Sequence, residues 1–368
     1  MKIVIVHDYL NQYGGAERVV ETMHEIFPQA PVYTTIYDMK KMPDSFKGMD
    51  IRTSFMQKLP FIEKHFKKYL MFYPRAIESF DLKDYDLVIS SSSAFGKGAI
   101  KRTGACHICY CYTPMRFVWD YENYVKKEEL NFIFKKSLPL FIKRLRNWDL
   151  KTNAGVDYFI AISKNIKERI KKVYGIDADY IYPPVNISKF KIFNSLEDYF
   201  LIVSRLNSYK NIDLVISVFN KLKLKLKIVG TGPYKEKLES LIENKNIQLL
   251  GRVAESELIE LYGKCRAFIF PGSEDFGIAP VEAQASGRPV IAFAAGGALE
   301  TINEGISGIF FRDNSIDSLI DSIKSFLKSE SQFDPKTIRS NALKFDKEVF
   351  KKKFKDYVLN KYNLLVKS

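Results

Sequence analysis

Short runs of apolar, mostly β-branched residues recur along the chain: KIVIV (2–6), DLVIS (86–90), HICYCY (107–112) and YFIAI (158–162), then YFLIVS (199–204), LKIVG (226–230), IQLLG (247–251), AFIFP (267–271) and PVIAF (289–293). Amphipathic stretches such as ERVVETMHEIF (17–27) and SELIELYGKC (256–265) lie between many of them. Continuous apolar runs of this length read as strands buried on both faces. Their alternation with 3.6-period segments predicts parallel βαβ layers, so the fold class is α/β throughout. Regular structure is interrupted at IYPPVNISKFKIFNSLED (181–198), where Pro183 and Pro184 precede a polar stretch and a fresh strand. This places one domain at residues 1–184 and a second at 185–345. Residues 346–368 form an amphipathic helical tail expected to pack on a domain face, with the N-terminal domain as the candidate. Two such layers predict a cleft at the carboxyl ends of their strands, where open α/β sheets bind ligands.

The 368 residues match this two-domain division, and 46% apolar with 27% charged residues is globular composition. A net charge of +14 calls for an anionic partner without choosing among nucleic acid, membrane and phosphorylated small molecules. No nucleic-acid-binding module is recognisable, so that class is set aside. Four cysteines, three of them within residues 106–111, are too few and too clustered for a disulfide framework, which fits a reducing cytoplasm. Cys106, His107, Cys109 and Cys111 read as a buried strand rather than a metal site, because zinc ligands usually come in pairs from turns. MKIVIVHDYL reads as a first strand and not a signal peptide, and no 18-residue window is free enough of charge to span a membrane.

The candidate chemistry concentrates in the second half. In EDFGIAPVEAQASGRP, Pro280 suits a first helical turn and Gly287 with Pro289 marks the stop, which puts Glu282 in the first turn and Glu274 in the loop before it. The N–H groups of Phe276, Gly277 and Ile278 then point out of the helix start, an arrangement suited to phosphate. The two acids could instead be a complement to the helix dipole, the lesser reading. Arg205 and Lys210, in SRLNSYKN after a strand, are placed to hold a diphosphate or else are solvated surface cations. Gly14 and Gly15 follow the first strand, Gly230 lies in GTGP, Arg252 and Val253 lie in LGRV, and GGALE opens a further helix at Gly296. Each glycine turn permits close backbone approach, and none matches the GxGxxG dinucleotide pattern.

The order SRL…KN, GTGP, LGRV, EDFGIAPVEAQASGRPVIAF, GGALETI resembles the donor domain of glycosyltransferase family 4, retaining enzymes with the GT-B fold: two Rossmann-like, doubly wound parallel-sheet domains facing a central cleft. The likeness covers nearly the whole chain. Glu274 and Glu282, with seven residues between them, resemble the family's E-x7-E motif. GGAERV, YTPMRFVWD and AISKNIKERIKKVYG…IYPPVN are most similar to the branch that includes GDP-mannose-dependent mannosyltransferases of cell-surface polysaccharide assembly. The resemblance implies that Arg205 and Lys210 clamp a nucleotide diphosphate, and that Glu282 holds the ribose hydroxyls. Glu274, with the amides of Phe276, Gly277 and Ile278, would meet the transferred sugar and phosphate. Gly14, Gly15 and Gly230 would approach the donor, and Arg252 and Val253 flank the base. One departure stands out. The branch commonly shows YCHTPMR, whereas this chain reads YCYTPMR with Tyr112 in place of histidine. A phenol of ordinary pKa near ~10 is a poor base at neutral pH, but front-face transfer, in which the leaving diphosphate takes the acceptor's proton, needs charge stabilisation more than a base.

The expected activity is therefore retaining transfer of a hexose, mannose from GDP-mannose first, to a lipid-linked or saccharide acceptor. The alternatives are UDP-sugar-dependent transfer, a GT-B epimerase, or a degenerate nucleotide-sugar-binding partner protein. A two-carboxylate glycoside hydrolase would have no use for the basic and glycine-rich turns. No cofactor or metal is expected: Asp177 and Asp179 form a DxD outside any donor-site context. The segments 58–75 and 132–148 interleave Phe, Leu and Trp with Lys and Arg, and one or both are expected to rest on an anionic membrane at its cytoplasmic face.

Overall fold

A computed structural model describes residues 1–120 and 132–367. The chain divides into two compact units, Met1–Pro184 with Glu348–Ser368, and Val185–Lys347.

The first unit is built on a parallel sheet of order β3-β2-β1-β4-β5-β6-β7. Its strands are β1 (Ile3–His7), β2 (Val32–Thr34), β3 (Ile51–Thr53), β4 (Leu87–Ser92), β5 (Cys106–Cys111), β6 (Tyr158–Ala161) and β7 (Asp179–Tyr180). Helices cover both faces of the middle strands, so β4 and β5 are buried along their whole length, including the polar Ser90, Ser91, Ser92 and His107. The three cysteines of β5 are free and buried, and His107 bonds through Nε2 to Ser90 Oγ at 2.8 Å. Burial pushes its pKa down to about 4. Pairing of His7 with Ser91, and of Ser91 with Tyr110, brings the carboxyl ends of β1, β4 and β5 level. Just beyond β1, Asp8 accepts the backbone N–H groups of Ser93, Ala94, Phe95 and Gly96 at 2.6–3.0 Å, so one buried carboxylate fixes the loop that leaves β4.

The described half of the Phe132–Thr152 helix turns Ile142 and Leu145 into the core beside Val88 and Phe95. Trp148 lies against Gly98, where any Cβ would come within 2.4 Å of the indole. The opposite side of that half is exposed, with Leu140 and Leu150 beside Lys143 and Arg144, and the side chains of residues 132–138 lie outside the described residues. The Lys347–Lys367 helix stacks Phe350 and Phe354 on one another and sets both edge-on to Tyr110 of β5, while Tyr357 donates to Asp179.

The second unit has a six-stranded parallel sheet of order β10-β9-β8-β11-β12-β13. Its strands are β8 (Phe200–Val203), β9 (Leu226–Val229), β10 (Ile247–Gly251), β11 (Phe268–Phe270), β12 (Val290–Phe293) and β13 (Gly308–Phe311). The direction of winding reverses between β8 and β11. These two strands are registered only at Leu201 with Phe268, whereas β8 stays paired with β9 through Val203. The loops leaving them meet at the topological switch point of the sheet, where open α/β sheets bind ligands.

Candidate functional site

The loop leaving β8 carries Arg205 and Lys210, and the loop leaving β11 carries Glu274. The structure joins the two loops directly, with the Lys210 ammonium forming an ion pair with Glu274 Oε1. Both groups are largely shielded, at 12% and 29% side-chain exposure, which strengthens their attraction over that of a solvated pair. Arg205, five residues earlier, is exposed, and its guanidinium has no partner among the described residues.

Beyond Glu274 the chain turns through Gly277, at φ +87°, into the Ile278–Ala285 helix. The N–H groups of Gly277 and Ile278 have no hydrogen-bond partner among the described residues. The side chain of Phe276 is buried against Phe345, so that residue can offer only its backbone outward. Gly296 and Gly297 back this turn closely. A Cβ on Gly297 would lie 2.3 Å from the Phe276 carbonyl, and its N–H donates to Glu274 O at 2.8 Å. The GGALE glycines are thus needed to let the acidic loop sit down. Gly230 does the same for the β8 exit: at φ +142° its Cβ would fall 1.8 Å from Ser204 O, and its N–H bonds to Gly251 O, tying together the exits of β8, β9 and β10. Arg252, next along, is exposed and Val253 half-buried.

Glu282 departs from its expected place. The helix starts at Ile278, so Glu282 is its fifth residue, one past the first turn. Its carboxylate is buried and accepts the Tyr262 hydroxyl at 2.9 Å. Pro280, as the third helical residue, occupies the first turn instead, where its missing N–H costs nothing.

In the first unit, Gly14 precedes and Gly15 begins the Gly15–Ile26 helix. Tyr112, one residue after β5, is 9% exposed; its hydroxyl donates to Ala16 O at 3.0 Å and shares a 2.8 Å bond with Ser91 Oγ. Burial, reinforced by the charges of Glu17 and Asp8, pushes its pKa well above the ordinary tyrosine value. The phenol is a neutral hydrogen-bonding group, not a base. Asp177 and Asp179 are occupied by Lys171 and by Tyr357 with Lys361, and no cluster of three or more His, Cys, Asp or Glu able to hold a metal occurs among the described residues.

Two family models match end to end along the chain: "Glycosyltransferase Family 4" over residues 13–189 and "Glycosyl transferases group 1" over residues 186–345. The chain belongs to the family 4 glycosyltransferases. An uncharacterised glycosyltransferase of Methanocaldococcus jannaschii is 30% identical over 197 residues, 52% of this chain and 55% of that protein. A GDP-mannose-dependent alpha-mannosyltransferase of Corynebacterium glutamicum is 35% identical over 108 residues, 29% of this chain and 26% of that one. The chain therefore spans about half or less of the length of these curated relatives. A solved Anabaena protein, HepE in complex with UDP, superposes with a TM-score of 0.74 over 98% of this chain and all of its own, at 16% identity, which establishes the glycosyltransferase GT-B fold.

Within this transferase, sequence reasoning overlooked His7, Asp8 and Glu17. All three are buried and polar. Their partners lie in the loop after β1 or 84–88 residues away in β4 and its exit, and they belong to no local motif. Only one signal was available: Glu17 three residues after Gly14, the spacing of a helix-capping glutamate, but without the Ser or Thr that makes such a box readable.

Proposed function

We propose that the chain is a retaining hexosyltransferase that takes mannose from GDP-mannose and delivers it to a lipid-linked or saccharide acceptor in polysaccharide or glycolipid assembly. The observation that carries this reading is the Lys210–Glu274 pair at the β8/β11 switch point, beside the unpartnered amides of Gly277 and Ile278. Cations and helix-start amides there answer the negative charge that develops on a leaving diphosphate. In this reading Arg205 and Lys210 hold the diphosphate. Glu274, with the amides of residues 276–278, meets the transferred sugar and its phosphate. Glu282 takes the ribose, Gly14, Gly15 and Gly230 admit the donor closely, and Arg252 and Val253 flank the base. Tyr112 is left a supporting part, since its hydroxyl is engaged within the first unit. The chemistry proceeds without a metal.

The preference for GDP-mannose rests on relatives named as mannosyltransferases, among them the corynebacterial protein and an O-antigen chain mannosyltransferase of Salmonella typhimurium. A second reading, UDP-sugar as donor, draws on the UDP held by the Anabaena protein of similar fold. Thermal shift in excess EDTA discriminates between them. GDP and GDP-mannose at about 100 times their Kd should each add about 2.7 kcal/mol of stability, while the UDP and ADP series move the melting temperature little. A larger shift with UDP-sugars transfers the assignment to that donor, and no shift with any nucleotide defeats the donor-site reading. Product analysis then separates a glycosylated acceptor from an epimerised or free sugar.

The membrane contact is part of the same proposal. Among the described residues no helix is long and apolar enough to cross a membrane. Phe61, Met71 and Phe72 nonetheless stand exposed, at 75%, 54% and 45%, among the exposed lysines 58, 64, 67 and 68. Apolar side chains within a cationic surface fit peripheral contact with an anionic leaflet, at the cytoplasmic face in this proposal. Co-sedimentation with anionic but not zwitterionic vesicles is expected, weakened by Phe61→Ser with Phe72→Ser; equal absence from both pellets rejects it.

A further inference from the structure

The Gly14–Gly15 turn is held from beneath by a ring of buried groups that the proposed chemistry does not use. Glu17 Oε2 accepts the Gly14 N–H at 2.8 Å, and Glu17 Oε1 faces His7 Nε2 at 3.9 Å. His7 Nδ1 in turn lies 3.0 Å from Ser91 O and 3.1 Å from Ser91 Oγ. Ser91 Oγ shares a hydrogen bond with the Tyr112 hydroxyl, which donates to Ala16 O. The ring thus begins and ends on the backbone of the turn, at Gly14 N–H and Ala16 C=O, with exposed Gly15 between the two anchor points. A capping glutamate is ordinarily a surface residue. This one is 2% exposed, as is His7, and a carboxylate so far out of water needs a counter-charge.

We propose that Glu17 and His7 are positioning residues that, through Ser91 and Tyr112, hold the Gly14–Gly15 turn in the conformation that meets the donor; this rests on the donor-binding part proposed above for that turn. The counter-charge to Glu17 resides on His7. From the helix, Glu17 faces it. Asp8 adjoins it along the chain, with its carboxylate taken up by the amides of residues 93–96. Its strand neighbours in β2 and β4 are the uncharged Thr34 and Ser91, and Tyr112 stands beyond Ser91. Burial by itself would lower the pKa of His7. Contact with Glu17, then the charges of Glu17 and Asp8 and the Ser91 carbonyl, outweigh it and raise the value above that of an ordinary histidine. His7 therefore keeps its charge to a higher pH than an ordinary histidine, and the ion pair is lost as pH rises through the raised value.

The test is donor kinetics against pH for the wild type, Glu17→Gln and His7→Gln, with the melting temperature of each. Gln at 17 still offers an oxygen to Gly14 but carries no charge, and Gln at 7 keeps a donor of similar reach. Both variants are expected to stay folded and to raise the KM for the donor about fivefold with kcat little changed, the signature of lost uniform binding. The wild-type KM should climb as pH rises through the raised value of His7 and the imidazole loses its proton, whereas the variants' KM stays flat. Wild-type KM and pH profile in both variants would overturn the inference and leave the transferase reading standing. A loss of kcat in proportion to lost folded protein would reduce the ring to a structural role and overturn it as well. A wild type inactive on every donor would overturn the transferase reading, and the positioning role with it.

Discussion

Lys210→Ala is expected to lower kcat for transfer by about a hundred- to a thousand-fold, the usual loss when one preorganised charge or donor is removed from a developing oxyanion. Lys210 is a shielded cation at the β8/β11 switch point, and its removal acts twice. In the proposed mechanism the leaving diphosphate loses its countercharge, and Glu274 is left as an uncompensated carboxylate beside the proposed phosphate position. The fold should survive, because the core under this loop is formed by Phe200, Ile202, Val215, Phe219 and Ile269, none of which contributes to the ion pair. Arg205 does not substitute: it is exposed, and a guanidinium fork presents a different geometry from an ammonium. Steady-state transfer at saturating donor is the measurement, and a kcat within about threefold of wild type would remove Lys210 from the mechanism.

Glu274→Gln should move two quantities in opposite directions. Transfer is expected to fall about a hundredfold, because the carboxylate proposed to meet the sugar loses its charge. Binding of the bare nucleoside diphosphate is expected to tighten about tenfold, or 1.4 kcal/mol. Glu274 holds the Lys210 ammonium, so an incoming diphosphate must compete with a carboxylate of its own sign. With Gln there is no competing anion and no like-charge repulsion. Titration calorimetry with GDP decides it: weaker binding by the variant would mean that Glu274 assists the diphosphate instead of competing with it.

Much of this site was legible because it is written in contiguous stretches. EDFGIAPVE places a carboxylate, a glycine and a helix start within nine residues, and SRLNSYKN sets two cations directly after a strand. The long strands were legible for a similar reason, since a strand buried on both faces is mostly apolar and does not alternate with polar residues. β2, β3 and β7 escaped notice because strands of two or three residues carry no period, and the exposed ends of β3 and the whole of β7 give no apolar run. GIFF of β13 was missed although it pairs along its full length with β12. The position of Glu282 was misjudged by one helical position, because Pro280 is tolerated anywhere in a first turn and so does not mark where the turn begins. The ring under Gly14 and Gly15 was beyond reach altogether. His7 looks like the end of an apolar run and Ser91 like a loop residue until β1 and β4 are laid side by side.

The return of the Lys347–Lys367 helix to β5 bears on the order in which the molecule can be made. Tyr110 is synthesised early, but the rings that cover it, Phe350 and Phe354, follow some 240 residues later, after every strand of the second sheet. A ribosome therefore releases a second unit whose residues, 185–347, are already complete while the first still presents an open aromatic face. Nascent chains halted before residue 350 would carry that face uncovered, so the first unit, though begun first, is the last to close.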